Sequence, residues 1–323
     1  MTAPLLEAEA LSVHFPVRRG VLRREVARVR AVDRVSLHVD AGEVLGIVGE
    51  SGCGKTTLGR ALVSLYPPSA GTLRVQGRDV AALGAAERRR MTRDVQMVFQ
   101  DPFASLNPRQ RIRQILETPY EVHGVSPVAG CEARLRQLIE QVGLSPEHLE
   151  RWPHELSGGQ RQRVGIARAL ALEPRVVVLD EPLSALDLSV QSQVLNLLGD
   201  LQDRLGLSYV FISHDLAVVA YLCDRVAVMY LGRVVESGPA AALFASPGHP
   251  YTQALLAAVP SPDPRHEPPG HPLEGEVPGQ LDAPRGCAFG TRCPRVQARC
   301  LEQAPELRPI DTAGLHRVAC HLA

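Results

Sequence analysis

The 323-residue chain carries 35 Lys and Arg against 35 Asp and Glu, a formal net charge of +0, with 45% hydrophobic residues. Its length suits one large or two ordinary domains, and the charge balance argues against a polycationic surface for nucleic acid. The opening residues MTAPLLEAEA do not read as a secretion signal, no apolar run reaches the roughly 18 residues of a membrane span, and the seven cysteines are not expected to form a disulfide framework.

Leu5 to Phe15 alternates in part and predicts an edge strand, whereas the Arg-rich stretch Pro16–Arg30 reads as a solvated hairpin or loop. Val32–Val39 alternates again and leads to the apolar run Val44-Leu45-Gly46-Ile47-Val48. That run gives way to Gly49-Glu50-Ser51-Gly52-Cys53-Gly54-Lys55-Thr56, followed by Thr57. The pattern G-x-x-x-x-G-K-[ST] between a strand and a helix is a phosphate loop. Its glycines let backbone N–H groups approach an anion, and the helix beginning near Lys55 turns its positive end to the same place. Lys55 would reach the β- and γ-phosphates, and the Thr56 hydroxyl would sit on Mg²⁺. Lys55 is also the only lysine in the chain.

Beyond this helix, Gly71–Gly77 predicts a short strand and turn, Arg88, Arg89, Arg90 and Arg93 a solvated basic face, and Val95–Phe99 a strand with Gln100 at its end. From Asp101 to about Pro174 apolar residues recur at helical spacing, with Pro119 and Gly124–Gly130 read as a loop. Ser157-Gly158-Gly159-Gln160 precedes a helix from about Arg161 to Leu172. Val176–Leu179 is a buried-strand run ending in Asp180 and Glu181. A turn to Asp187, a long amphipathic helix, the strand Ser208–Ile212 ending at Ser213-His214-Asp215, and a strand at Arg225–Tyr230 complete the core. Past Gly238 one short helix, Tyr251–Val259, is expected, then an irregular arm over Pro260–Gly279.

Chemistry collects at the strand ends. Asp180 is placed to hold Mg²⁺, Glu181 to orient and deprotonate a water, Gln100 to bind Mg²⁺ or that water, and His214 to sense the γ-phosphate. Ser157-Gly158-Gly159 opening a helix makes a second anion site, which points to two copies closing each other's nucleotide.

Gly49–Thr56, Gln100, Leu156–Gln160, Val176–Glu181, Ser184–Asp187 and His214, in this order and spacing, resemble the ATP-binding subunits of ABC transporters. Phe99–Arg109 and Pro247–Leu256 are similar to the dipeptide/oligopeptide (and related nickel) importers of that family. The resemblance implies an α/β P-loop domain over 1–240, with an antiparallel β subdomain and an inserted helical subdomain at about 101–165, and a small irregular C-terminal extension over 241–323. It implies that Phe15 stacks on adenine, that Ser157 and Gly159 contact the partner's nucleotide, and that Asp187 lies at the dimer interface. Gln100 would begin the loop that answers the permease. The implied partners are two transmembrane permease subunits, a second, different ATPase subunit and an extracytoplasmic solute-binding protein, with the chain peripheral on the cytoplasmic membrane face. A nickel importer or a soluble ABC ATPase are the competing readings. Cys53 and Thr56 stand where many members have serine, and Trp152 where tyrosine is common.

Four cysteines, Cys287-x₅-Cys293-x₆-Cys300-x₁₉-Cys320, crowd the tail. Four soft thiolates suit Zn²⁺ or an iron–sulfur cluster, and the spacing does not choose between them. The resemblance favours a [4Fe–4S] cluster. Cys53, Cys131 and Cys223 read as isolated small residues.

Overall fold

The structure is a computed structural model describing residues 3–20, 24–128, 130–259, 279 and 285–323. In chain order the elements are β1 (Leu6–Arg19), β2 (Arg24–Val39), β3 (Val44–Val48), α1 (Lys55–Leu62), β4 (Ala70–Val75), β5 (Arg78–Asp79), α2 (Ala85–Asp94), β6 (Val95–Val98), α3 (Pro102–Ser105), α4 (Ile112–His123), α5 (Cys131–Gln141) and α6 (Gly158–Leu170). They continue with β7 (Val176–Asp180), α7 (Leu188–Leu205), β8 (Ser208–Ser213), α8 (Leu216–Leu222), β9 (Arg225–Tyr230), β10 (Arg233–Pro239), α9 (Ala240–Ala245), α10 (Pro250–Ala257), α11 (Ala298–Glu302), β11 (Arg308–Pro309) and β12 (Arg317–Val318). None of the described helices is long and apolar enough to cross a membrane. The chain divides into two compact units, one of Met1–Leu6, Val39–Glu43 and Arg74–Val210, the other of Glu7–His38, Val44–Leu73 and Phe211–Ala323.

In the first unit β6 and β7 pair in parallel, from Val95 opposite Val176 to Val98 opposite Leu179. Every residue of β7 is buried, as the continuous run Val176–Asp180 requires of a strand covered on both faces. Helix α6 packs against α3, α4, α5 and α7. It begins at Gly158, three residues before its expected start, because Ser157 caps it. Pro119, expected in a loop, lies inside α4. It removes one backbone donor, yet Ile112, Ile115, Leu116 and Tyr120 hold one buried face through the site of the missing bond.

In the second unit the strand order is β11-β12-β10-β9-β3, with β3 and β9 parallel and β9, β10 and β12 antiparallel. Of the hairpin and loop expected for the Arg-rich segment, the structure has the hairpin's strands: β1 runs on to Arg19, β2 starts at Arg24, and the two are neighbours in one sheet. Arg24–Arg30 is largely exposed and buried and exposed residues alternate only from Asp33 onward, so the outer ribbon solvates its arginines while the strand continues. Helix α9, absent from the expectation, precedes the expected helix at α10. The arm expected over Pro260–Gly279 falls, but for Gly279, outside the described residues.

The C-terminal extension is fastened by one buried carboxylate. Glu236, 0% exposed on β10, accepts from the Gly248 N–H at 2.7 Å, the His249 N–H at 2.9 Å and the His316 ring at 2.7 Å. It thereby joins β10, the start of α10 and the residue next to β12. Removing it strands several buried donors at roughly 1–3 kcal/mol each. Glu236→Ala is expected to lose about 3 kcal/mol in urea unfolding and to expose the segment 308–318 to protease before global unfolding.

His249 caps α10 by accepting the Tyr251 N–H on Nδ1 at 3.0 Å, and burial pushes its pKa down to about 4. Between pH 6.5 and about 4 the unfolded chain binds the proton that the folded ring refuses, so stability falls as pH falls, by about 3 kcal/mol in all. His249→Asn, which keeps a cap acceptor, is expected to flatten that part of the stability–pH curve relative to the parent.

Candidate active site

In the second unit β3 delivers the chain straight into Gly49–Thr56. Gly49 has φ 152° and Gly54 φ 107°, and a β-carbon at either would stand 2.2 Å from the Met229 carbonyl or 2.0 Å from the Ala31 carbonyl. These two positions admit only glycine. Between them the Gly232 N–H donates to the Cys53 carbonyl at 2.8 Å, so the turn after β9 grips the loop's middle. Lys55, 4% exposed, donates from Nζ to the Gly49 carbonyl at 2.7 Å and the Glu50 carbonyl at 3.0 Å. Its ammonium is thus drawn into the ring of the loop, where a phosphate would meet it. Helix α1 starts from Gly54, which has no side chain to cap it, and a helix N-terminus suits an anion. Burial pushes the Cys53 thiol up, against the pull of the Lys55 ammonium, and the side chain packs inside the loop at 1% exposure. Ser51, Gly52, Thr56 and Thr57 lie in the loop and the first turn of α1. The tightly wound glycine backbone and the inward Lys55 ammonium fit a nucleotide's phosphates.

Elsewhere in this unit Phe15, 37% exposed, packs edge-on to Tyr66, with ring centroids 5.3 Å apart. Tyr66 was not singled out from sequence, because 51 positions separate the two rings. His214 follows β8 directly, and its neighbour Asp215 caps α8 by accepting from the Ala217 and Val218 N–H groups.

The first unit holds the other group. Asp180 ends β7 buried, at 1% exposure. Glu181 follows in the left-handed region at φ 44°, a conformation that costs a non-glycine residue of order 1 kcal/mol or more. That turn aims its carboxylate at Gln100, whose Nε2 donates to Glu181 Oε2 at 2.8 Å. The Ser157 loop and Asp187 also come together. Ser157 Oγ accepts from the Gln160 N–H at 3.3 Å while Gln160 Oε1 accepts from the Ser157 N–H at 2.9 Å, a reciprocal capping box. Asp187 accepts from the Val190 N–H at 3.0 Å and the Ser189 hydroxyl at 2.8 Å. The Val190 N–H and the Ser189 hydroxyl hold its carboxyl below the usual range. A β-carbon on Gly159 would stand 2.4 Å from Val190 Cγ1, so this glycine lets α6 touch the start of α7. Gly158 stands by Leu186, and Trp152 lies under the Arg111 guanidinium at 5.6 Å.

In the tail the Cys287 N–H donates to the Cys300 carbonyl at 2.7 Å. Burial pushes the Cys287 and Cys293 thiols up, and the neighbouring thiols add to this, with Cys300 and Cys320 acting on both. Four thiols are soft ligands of the kind a thiolate-held group needs. Among the described residues, however, no three His, Cys, Asp or Glu side chains are gathered as a metal ion would need.

Comparison with known proteins accounts for both halves. Residues 32–184 match the ABC transporter family, and residues 235–300 match the oligopeptide/dipeptide transporter C-terminal region. The probable peptide ABC transporter ATP-binding protein y4tS of Sinorhizobium fredii is 51% identical over 322 residues, covering 100% of this chain and 91% of the relative. The oligopeptide transport ATP-binding protein AppF of Bacillus subtilis is 47% identical, covering 98% and 97%. The di/tripeptide transport ATP-binding protein DppF of Pseudomonas aeruginosa is 49% identical, covering 99% and 98%. Among solved structures, cbiO1 from Clostridium perfringens, part of the ABC transporter complex cbiONQ, superposes with a TM-score of 0.63 at 28% identity, covering 75% of this chain and 91% of that one. The ATP-binding cassette MJ0796, solved as a dimer with ADP and Pi, gives 0.64 at 26% identity, covering 73% and 98%. Identities near one half over nearly the whole length go beyond a shared fold, and the chain belongs to the ATP-binding subunits of the oligopeptide/dipeptide type of ABC transporter, enzymes that hydrolyse ATP with Mg²⁺.

Proposed function

We propose that the chain converts MgATP binding and hydrolysis into peptide uptake through two permease subunits, on the cytoplasmic face of the membrane. It works as one half of an ATPase pair whose other half is a different subunit, and an extracytoplasmic binding protein delivers the peptide. Residues 1–240 form the ATPase domain and 241–323 the extension. The names of the relatives support peptides over nickel as cargo, and the match over 235–300 supports the same branch.

One hydrogen bond carries the mechanistic reading, Gln100 Nε2 to Glu181 Oε2 at 2.8 Å. It ties the first residue of the permease-facing segment, Gln100–Arg109, to the carboxylate placed to work on water. A permease movement that draws Gln100 aside changes where Glu181 points. In the reaction, Glu181 takes a proton from water as the water oxygen bonds to the γ-phosphorus and the bond to the β-phosphate oxygen breaks. Lys55 and the loop N–H groups receive the charge that develops on the phosphate oxygens. His214 orients the γ-phosphate, and Phe15 stacks on adenine. Thr56, Asp180 and Gln100 would hold Mg²⁺, which would supply positive charge to the phosphates. Ser157, Gly158, Gly159, Gln160 and Asp187 close on the nucleotide of the partner subunit. Glu181→Gln is expected to retain MgATP while turnover falls about 100-fold or more, whereas Lys55→Ala loses MgATP binding. Equilibrium binding and single-turnover phosphate release check both, and near-normal turnover in Glu181→Gln removes it as the base.

Cys287, Cys293, Cys300 and Cys320 would hold a [4Fe–4S] cluster in this proposal, supported by the presence of four soft-ligand thiols in one short tail. The cluster would crosslink a tail that has few apolar residues to pack. Anaerobically purified protein is expected to carry iron and acid-labile sulfide in equal amounts, and Cys300→Ser to lose both. Zinc in the parent protein would replace the cluster in this reading.

A further inference from the structure

Glu50, the second residue of the phosphate loop, is an acid set where an anion is meant to bind. Its three polar groups are all engaged. The N–H donates to Tyr251 Oη at 2.8 Å, and the carbonyl accepts from Lys55 Nζ at 3.0 Å. The carboxylate receives both prongs of Arg292, Nη1 to Oε2 at 2.7 Å and Nη2 to Oε1 at 3.1 Å. This is no solvated surface pair: the side chains are 6% exposed for Arg292 and 24% for Glu50. Arg292 is held in turn by the Tyr230 hydroxyl at 3.4 Å. Beneath lies an aromatic group in which Tyr230, Tyr251 and Phe289 stand with ring centroids 4.7–5.5 Å apart.

Arg292 belongs to the cysteine segment, and consecutive turns of that segment place it. The Gly290 N–H donates to the Cys287 carbonyl at 2.9 Å, the Arg292 N–H to the Phe289 carbonyl at 3.0 Å and the Val296 N–H to the Cys293 carbonyl at 3.2 Å. The Cys287–Cys300 backbone bond closes the segment, and a β-carbon on Gly286 would lie 2.2 Å from the Cys300 carbonyl.

We propose that Arg292 is a positioning residue for the nucleotide site, which neutralises and holds Glu50 so that Lys55 and the loop N–H groups are left to the phosphates. The proposal rests on the reading of Gly49–Thr56 as the ATP site. Without the guanidinium, the Glu50 carboxylate is an uncompensated anion beside the phosphates and a rival partner for the Lys55 ammonium. The phosphate loop thereby becomes dependent on the folded state of a segment more than 200 residues away in the chain.

The test is MgATP binding by calorimetry and steady-state ATPase on the full chain, for the parent and for Lys55→Ala, Arg292→Gln, Glu50→Gln and the Arg292→Gln/Glu50→Gln pair. Arg292→Gln is expected to weaken MgATP binding about tenfold or more and to raise KM for ATP more than it lowers kcat. Removing the acid as well should restore affinity to within about threefold of the parent, a charge rescue that a merely structural role would not give. Cys287→Ser/Cys300→Ser should weaken binding in the same direction, with no further loss when Arg292→Gln is added. If Arg292→Gln does not fold, Arg292→Lys carries the test: intermediate affinity supports the proposal and parental affinity overturns it. Parental affinity in Arg292→Gln, or a double variant as weak as Arg292→Gln alone, overturns it while Lys55→Ala still loses binding. A parent protein without MgATP affinity, or a Lys55→Ala that binds normally, overturns instead the reading of the loop as the nucleotide site.

Discussion

The phosphate loop is a backbone-to-backbone contact before it is anything else. At Gly49 and Gly54 the space a β-carbon would take is filled by the carbonyls of Met229 and Ala31, and between them the Gly232 N–H binds the Cys53 carbonyl. Strand β2, strand β9 and the turn after β9 thus press on one eight-residue loop. Inside the loop so held, Lys55 turns inward onto the Gly49 and Glu50 carbonyls. The neighbouring pair Arg233 and Asp33, at 2.6 Å, braces the same turn against β2. Apart from Glu50 and Lys55, the side chains of the loop are small.

The other unit solves a similar problem with side chains. Gly159 admits Val190 at the place where α6 meets α7, and the caps of the two helices, Ser157 and Asp187, are brought together by that contact. Glu181 accepts left-handed backbone strain and so meets Gln100. The strained Glu181 and the crowded Gly159 are both residues of the proposed mechanism. That distribution is expected where geometry is maintained for chemistry at some expense in stability.

Local pattern made a good deal of this legible. Val44–Val48 and Val176–Asp180 are apolar without interruption and form strands buried along their length, and the strand–loop–helix order around Gly49–Thr56 stands where periodicity and glycine placed it. Pro119 misled because a burial stripe outlasts one missing hydrogen bond in α4. In the Arg-rich ribbon the solvated hairpin was legible, but not the extent of its strands, because exposed strand lacks the alternation by which strands are read. Contacts between residues far apart in the chain were beyond local pattern. Phe15 with Tyr66, Gln100 with Glu181, and the gathering of Gly248, His249 and His316 about Glu236 are matters of tertiary packing. No window of sequence contains both sides of such a contact.

The solitary lysine has a practical corollary. A lysine-specific endoproteinase has a single peptide bond to attack in this sequence, and that bond, after Lys55, lies at the start of a helix with the side chain enclosed by the Gly49 and Glu50 carbonyls. Cleavage requires the loop to open and release the ammonium. The appearance of one pair of fragments therefore measures how often the loop opens, using the unaltered protein as its own reporter.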